Sequence, residues 1–158
     1  MKAPGGRRCV WTRSLDCAAE RFNKLLLGDR AILFVMNSRV ERFDHFQIAA
    51  PEKCEAAARQ FYGAVLGFNE IEKPPILRAR GGCWFECGSQ QLHIGVERNF
   101  QAAKKAHPAF AVFHLDELRK TLTDRGLTVV DDDNLPGARR FYAEDPWGNR
   151  LEFVEIPA

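Results

Sequence analysis

Four polar side chains of this 158-residue chain are of the types that bind a divalent cation: His45, His93, His107 and Glu152. Each stands in a short run of alternating apolar residues, a pattern typical of a β-strand with one buried face. Neutral imidazole together with carboxylate suits Fe(II), Mn(II), Ni(II), Co(II) or Zn(II), and the absence of cysteine at these positions argues against a structural zinc site. The chemistry to expect is that of a metal acting as a Lewis acid on a small molecule.

Strand geometry explains why these polar groups interrupt apolar runs. Alternate side chains of a strand point to opposite faces, so Glu152 faces away from Leu151 and Phe153. One predicted face is wholly apolar: Phe46, Ile48, Leu92, Ile94, Val96, Phe110, Val112, Leu151 and Phe153. The other carries small residues and the candidate ligands: His45, Gln47, His93, Gly95, His107, Ala109, Ala111 and Glu152. We expect helices to cover the first face and the second to form a cavity wall, where a carboxylate is costly without a partner.

The chain repeats one order of elements, a strand, a helix and three strands. The first half has the strand "FDHFQIAA", a helix that we expect to begin at Pro51 and end at Gly67, and the strands "FNEIEK", "CWFEC" and "QQLHIGVE". The second half has the strand "HPAFAVF", a helix that ends at Gly126, and the strands "LTVVD", "ARRFYAE" and "RLEFVEI". We therefore predict an α+β fold.

The spacing of the two halves supports an internal duplication. Gly67 to His93 spans 26 positions and Gly126 to Glu152 also spans 26, whereas the stretches from His45 to Gly67 and from His107 to Gly126 span 22 and 19. The duplication matches His45 with His107 and His93 with Glu152, and it places His45 and His107 in the two opening strands.

Charge separates the first part of the chain from the rest. Residues 1–40 carry eight Lys and Arg against three Asp and Glu, while residues 41–158 carry 15 against 18. We interpret 1–40 as a basic appendage, either disordered or upstream sequence with the natural start at Met36, since its acidic residues argue against a transit peptide. The mildly acidic body argues against nucleic acid as a partner.

The cysteines and the apolar stretches indicate a cytoplasmic protein. The five cysteines fit neither a CxxC pair nor a zinc-knuckle spacing, and no secretory signal precedes them, so we expect reduced thiols. Near the N-terminus the longest apolar stretch, 31–36, is far shorter than the roughly 20 residues that span a bilayer. We expect no membrane association.

Over residues 40–157 the chain resembles the vicinal oxygen chelate superfamily, which includes glyoxalase I, fosfomycin-resistance thiol transferases, extradiol dioxygenases, methylmalonyl-CoA epimerase and bleomycin-binding proteins. The resemblance rests on "DHFQIA", "ARQFYGAVLGF", "LHIGV", "HPAFAV" and "DPWGNRLEF". It implies two paired βαβββ modules that form a half-open barrel around one divalent metal. Module one is then 41–96, the connector 97–106 and module two 107–157. In many family members the site is assembled across a dimer, so a homodimer is expected.

The same resemblance assigns His45, His107 and Glu152 as metal ligands. His93 stands where glyoxalase I has a glutamate, which argues against that specific activity. It is either a fourth ligand or an imidazole that faces the ligands or the substrate.

Other polar side chains are candidates for the wall of the site. Gln47 would point into the cavity, and Arg140 with Tyr142 could share a face and reach an anionic or carbonyl substrate. We interpret Trp84 and the "DPWGN" turn as structural, and His114 as a residue without a role in the site. No catalytic residue is assigned.

Two functions remain open. The first is a divalent-metal-dependent enzyme of lyase, isomerase, thiol transferase or dioxygenase type that acts on a small oxygen-chelating substrate. A dioxygenase metal usually has only three protein ligands, so a fourth ligand from His93 would argue against dioxygenase activity. The alternative is a metal-free drug- or ligand-binding protein of the bleomycin-resistance type, against which the presence of all four residues counts.

Overall fold

Each half of the described residues folds into one strand, one main helical segment and three further strands, and the first half adds a short helix between its second and third strands. The structure is a computed structural model that describes residues 39–156, so the predicted appendage lies outside the described residues apart from its last two positions. The strands of the first half are β1 (His45–Ala50), β2 (Glu70–Ile71), β3 (Cys83–Cys87) and β4 (Gln90–Val96). Those of the second half are β5 (Ala109–Val112), β6 (Val129–Asp131), β7 (Arg140–Glu144) and β8 (Arg150–Glu155).

The two halves form two four-stranded mixed sheets with equivalent strand orders, β1-β4-β3-β2 and β5-β8-β7-β6. In each sheet the first strand pairs in parallel with the last, and the other pairs are antiparallel. The registers agree as well, because Gln47 lies opposite His93 and Ala109 lies opposite Glu152. The predicted α+β fold with two paired βαβββ modules is therefore confirmed.

The first helical segment begins later than predicted. Helix α1 (Glu55–Ala58) continues directly into a π-helix, π1 (Arg59–Val65). Pro51 does not start a helix, because Lys53 has a φ of 64°, in the left-handed region that interrupts a right-handed helix. The predicted stop is correct: Gly67, with a φ of 78°, follows the last turn. The other helices are α2 (Pro75–Arg78) and α3 (Leu115–Asp124).

The opening strand of module two also begins later than predicted. His107 lies two residues before β5 and not within it. Pro108 has no N–H to contribute to the sheet, although its carbonyl oxygen still accepts a hydrogen bond from the backbone N–H of Glu152 at 3.0 Å. His107 is therefore held beside the end of the ladder.

Most of the predicted apolar face lies in the core. Six of its nine residues are buried: Ile48, Leu92, Ile94, Phe110, Leu151 and Phe153. Val96 and Val112 pack partly buried against them. Phe46 differs from the prediction because it stands near the start of the edge strand β1 and remains 43% exposed. Within residues 39–156, none of the helices has the length and apolar character needed to span a bilayer.

A buried polar cluster of Tyr62, Asp145 and Asn149 joins the two modules. The Tyr62 hydroxyl donates to Oδ2 of Asp145 at 3.0 Å, and burial beside that carboxylate raises the pKa of Tyr62, which keeps it a donor. Oδ1 of Asp145 accepts the backbone N–H groups of Trp147 and Asn149. Nδ2 of Asn149 donates to Asp145 and to the carbonyl oxygen of Ala49 in β1. The "DPWGN" turn is thus structural, as predicted, and the structure shows in addition that it joins the two modules.

We expect small substitutions in this junction to lower the stability of the protein markedly. Tyr62→Phe removes one donor to a buried carboxylate, so we expect the free energy of unfolding to fall by about 1.5–3 kcal/mol. In a double-mutant cycle with Asp145→Asn, the double variant should lose less than the sum of the single losses. Urea unfolding at fixed protein concentration measures the change. Tyr142→Phe is the comparison, because its hydroxyl interacts with the Asp132 carboxylate at a less buried position, so the expected loss is smaller, about 0.5–1 kcal/mol. An equal loss from both substitutions would contradict the role of the junction.

The three described cysteines are free thiols, and Cys54 and Cys83 are buried. Burial, with a further contribution from nearby Glu70, raises the pKa of Cys83 to about 12, and burial also raises the pKa of Cys54. At pH 8 the thiolate fraction of Cys83 falls roughly 1000-fold relative to an ordinary thiol. Since the unfolded chain ionises this thiol more readily, its contribution to stability is complete below about pH 9 and is lost as the pH rises toward about 12.

Alkylation should report this protection. We expect iodoacetamide at pH 8 to leave Cys54 and Cys83 unmodified in the native protein and to label both in urea, as measured by mass spectrometry of the peptides. Rapid labelling of native Cys83 would show that β3 is not packed as described.

Candidate metal centre

His107 and Glu152 form a close pair on the polar face of module two. Nε2 of His107 lies 2.9 Å from Oε2 of Glu152, and both side chains are largely buried. On the other side of the ring, Nδ1 of His107 lies 2.7 Å from the carbonyl oxygen of Lys105. The hydrogen bond to Lys105 fixes the orientation of the imidazole, as bonds behind a metal ligand commonly do.

The contacts of this pair call for a proton or a cation between two heavy atoms. A carbonyl oxygen can only accept, so the contact with Lys105 favours the tautomer of His107 that has its hydrogen on Nδ1 and a lone pair on Nε2. In that tautomer the lone pair faces an oxygen of Glu152. The 2.9 Å contact is then favourable when a proton lies between the two atoms or when Nε2 and Oε2 share a cation. The donor set therefore fits a metal ion.

Arg140 holds the other oxygen of Glu152. Its Nη1 donates to Oε1 of Glu152 at 2.8 Å, and its Nη2 donates to Oδ2 of Asp132 at 2.9 Å. The remaining Nε is buried and has no hydrogen-bond partner among residues 39–156. The hydrogen bond to Glu152 raises the pKa of Arg140. Both ends of the guanidinium are thus engaged, so Arg140 is arranged to fix Glu152 with Oε2 directed toward His107.

Tyr142 shares the face of Arg140, as the strand alternation predicts, and lies opposite Glu152 in the register of β7 and β8. The edge of its ring meets His107, with 5.5 Å between the ring centroids. The guanidinium carbon of Arg150 lies 3.7 Å from the ring centroid, and that of Arg140 lies 5.7 Å from it. Tyr142 is therefore the aromatic wall of the module-two half of the site.

His93 and His45 lie together on the polar face of module one. The ring of His93 is stacked between Trp84, at 3.9 Å between centroids, and His45, at 4.3 Å. Nδ1 of His45 pairs with Oδ1 of Asp44 at 3.0 Å, so Nε2 is the ring nitrogen that remains for a metal ion. Trp84, interpreted above as structural, is stacked on the ring of a candidate ligand, His93.

Gln47 and Gly95 complete this face beside the imidazole stack. A Cβ at Gly95 would lie 2.8 Å from the side-chain amide of Gln47, so glycine allows the amide to lie flat on the strand. Gln47 and Trp84 line a cavity of about 230 Å³. Gln47 thus stands at a cavity wall, but neither His45 nor His93 lines this cavity.

The four candidate ligands form two pairs in one chain, not one cluster. Within the described residues, no group of three or more His, Cys, Asp or Glu side chains is arranged to hold a metal ion. His45 lies with His93 and His107 lies with Glu152. His114 is exposed just before α3.

Sequence reasoning overlooked two groups at the site. Arg150 was detectable, because it stands two positions before Glu152 in the same strand and so shares its face. Asp132 gave no such signal, since it belongs to an acidic run of three aspartates whose course past Arg140 depends on the tertiary fold.

Paired βαβββ modules with imidazoles and a carboxylate on their polar faces define the class of this protein. The family model of the Glyoxalase/Bleomycin resistance protein/Dioxygenase superfamily matches residues 42–153, and the chain belongs to this family. The predicted resemblance is thereby confirmed. A comparison with curated proteins gave no match.

Solved structures agree with this assignment. A Bacillus anthracis protein described as belonging to the glyoxalase family is 52% identical, with a TM-score of 0.74, over 77% of this chain and 100% of that chain. A glyoxalase family protein from Enterococcus faecalis is 26% identical, with a TM-score of 0.59, over 73% and 98%. Lactoylglutathione lyase from Agrobacterium tumefaciens is 22% identical, with a TM-score of 0.60, over 75% and 96%, which shows a shared fold.

Proposed function

We propose that this protein is a divalent-metal-dependent enzyme that acts on a small substrate through two neighbouring oxygen atoms. The reaction is of lyase, isomerase, thiol transferase or dioxygenase type. The observation that carries the proposal is the contact between Nε2 of His107 and Oε2 of Glu152, two atoms that require a cation or a proton between them. A metal ion held there would act as a Lewis acid toward the substrate oxygens.

We further propose that each metal site joins two copies of the chain, with His45 and His93 from one and His107 and Glu152 from the other. The separation of the ligands into two pairs within one chain supports this arrangement. Strands β1 and β5 each lie at a sheet edge, and no other described strand pairs with their outer sides. Phe46 of β1 and Phe113, which follows β5, are 43% and 61% exposed, as expected of surfaces that a second copy covers.

In this proposal the residues around the ligands have distinct tasks. Arg140, itself held by Asp132, fixes Glu152 through Oε1 and leaves Oε2 for the cation. The carbonyl oxygen of Lys105 keeps the hydrogen of His107 on Nδ1. Tyr142 forms the wall against which the substrate would lie. These groups position and shield the reacting oxygens, which strengthens electrostatic stabilisation at the site.

The ion pair between Arg140 and Glu152 favours a second candidate function, a metal-free binding protein, because Arg140 already compensates the charge of Glu152. With that ion pair the pocket could remain metal-free, as in a ligand-binding protein of the bleomycin-resistance type. The two functions differ in whether the purified protein takes up a metal ion.

Metal uptake separates them. We expect wild-type protein dialysed against Ni, Mn, Fe or Zn salts to retain about one ion per chain, as measured by plasma mass spectrometry. Glu152→Gln should weaken binding by more than about 100-fold, because changes behind metal ligands already cost about 10- to 100-fold.

Glu155→Gln is the matched control, since Glu155 belongs to the same strand but pairs with Arg139. It should retain full metal content. A wild type that holds no transition metal after reconstitution would favour the metal-free binding protein.

Mixing two inactive variants tests whether the site is shared. We expect His45→Ala and Glu152→Gln each to bind almost no metal alone. Co-expressed in equal amounts, they should form mixed dimers with one intact site, giving about one ion per four chains. A site contained within one chain would leave the mixture as empty as the separate variants.

A further inference from the structure

We propose that Arg150 forms a carboxylate-binding subsite beside the candidate metal centre, with Tyr142 as its platform and Lys104 at its rim. The substrate would then carry a carboxylate group in addition to its two chelating oxygens. This inference rests on the proposed function and adds the substrate class to it.

The strand register places Arg150 on the substrate side of the sheet. Arg150 and Glu152 are alternate residues of β8, so they share a face and lie about 7 Å apart along the strand. Tyr142 contacts both the candidate metal centre and Arg150. The edge of its ring meets His107, and the guanidinium of Arg150 lies over its face. The carboxylate and the chelating oxygens of a substrate should therefore be separated by a similar distance.

The guanidinium of Arg150 is available to a ligand. Its carbon lies 3.7 Å from the Tyr142 ring centroid, and its side chain makes no ion pair or hydrogen bond with any described residue. Arg119 and Arg140, in contrast, pair with carboxylates. Stacking occupies the face of a guanidinium but leaves its edge N–H groups free, in the fork that matches a carboxylate.

A cavity of about 390 Å³ lies in front of this group, within the usual size range of sites for small molecules. Its lining includes Lys104, Val130, Tyr142, Glu144 and Arg150.

The net charge of the cavity walls favours a ligand that carries a single negative charge. Nζ of Lys104 donates to Oε1 of Glu144 and to the carbonyl oxygen of Gly148, both at 2.7 Å, so its charge is balanced and its position is fixed. Arg150 supplies one unbalanced positive charge, which suits a carboxylate better than a doubly charged phosphate.

Two chelating probes of equal length test the subsite. We choose 3,4-dihydroxyphenylacetate, which carries a carboxylate, and 4-ethylcatechol, which does not, and titrate each calorimetrically into the metal-reconstituted protein without oxygen. Wild type should bind the carboxylate probe about tenfold more tightly, the gain expected of one charge-assisted pair. Arg150→Gln should remove this preference, and the exposed control Arg125→Gln should retain it. Equal wild-type affinities, or a preference that survives Arg150→Gln, would overturn the proposal.

A metal-independent measurement separates this proposal from the proposed function. We expect phenylacetate, added to the metal-free protein, to produce a saturable shift of the Arg150 Nε signal in ¹H–¹⁵N spectra, and neutral phenylacetamide to produce none. If no metal binds but this shift occurs, the enzyme proposal fails and the subsite stands. If metal binds but phenylacetate produces no such shift, the subsite is overturned.

Discussion

A carboxylate that is only 7% exposed on the face of a sheet must be accompanied by positive charge, and the polar half of module two is organised around that requirement. Arg140 supplies one charge to Glu152 at Oε1, while Oε2 lies 2.9 Å from Nε2 of His107. Asp132 and the Lys105 carbonyl fix these two neighbours in turn. The result is a network that fixes both oxygens of Glu152.

The two modules share one architecture but differ in the side chains on their polar faces. Equivalent registers put His93 and Glu152 at matching points of two sheets, yet their surroundings differ. The module-one position is a stack of aromatic rings, and the module-two position is a chain of charged groups. The two modules thus share the geometry of the backbone, while each carries its own side-chain chemistry.

Most of the fold could be predicted because strand alternation and helix-stop glycines are local signals. The apolar face was predicted from period-two patterning alone, and only Phe46 at a strand edge is substantially exposed. The start of the first helix could not be read so simply, because the left-handed backbone at Lys53 overrides the preference of Pro51 for a first turn.

The site was predicted less completely than the fold. Its residue types and faces follow from the strands, whereas pairing depends on how separate strands and loops come together. The Asp132 contact with Arg140 and the stacking of Trp84 on His93 are of this kind. Arg140 shows the limit: its face was predictable, but its engagement with Glu152 became visible only in three dimensions.

The π-helix has a consequence for how this chain tolerates change. Its hydrogen bonds reach one residue further than those of an α-helix, and Tyr62 points at Asp145 from within these wide turns. Removal of a single residue from 59–65 would favour ordinary α-helical winding and change the directions of the side chains within the segment, including that of Tyr62. We therefore expect a deletion in this segment to disturb the junction between the modules far more than most substitutions of its exposed residues.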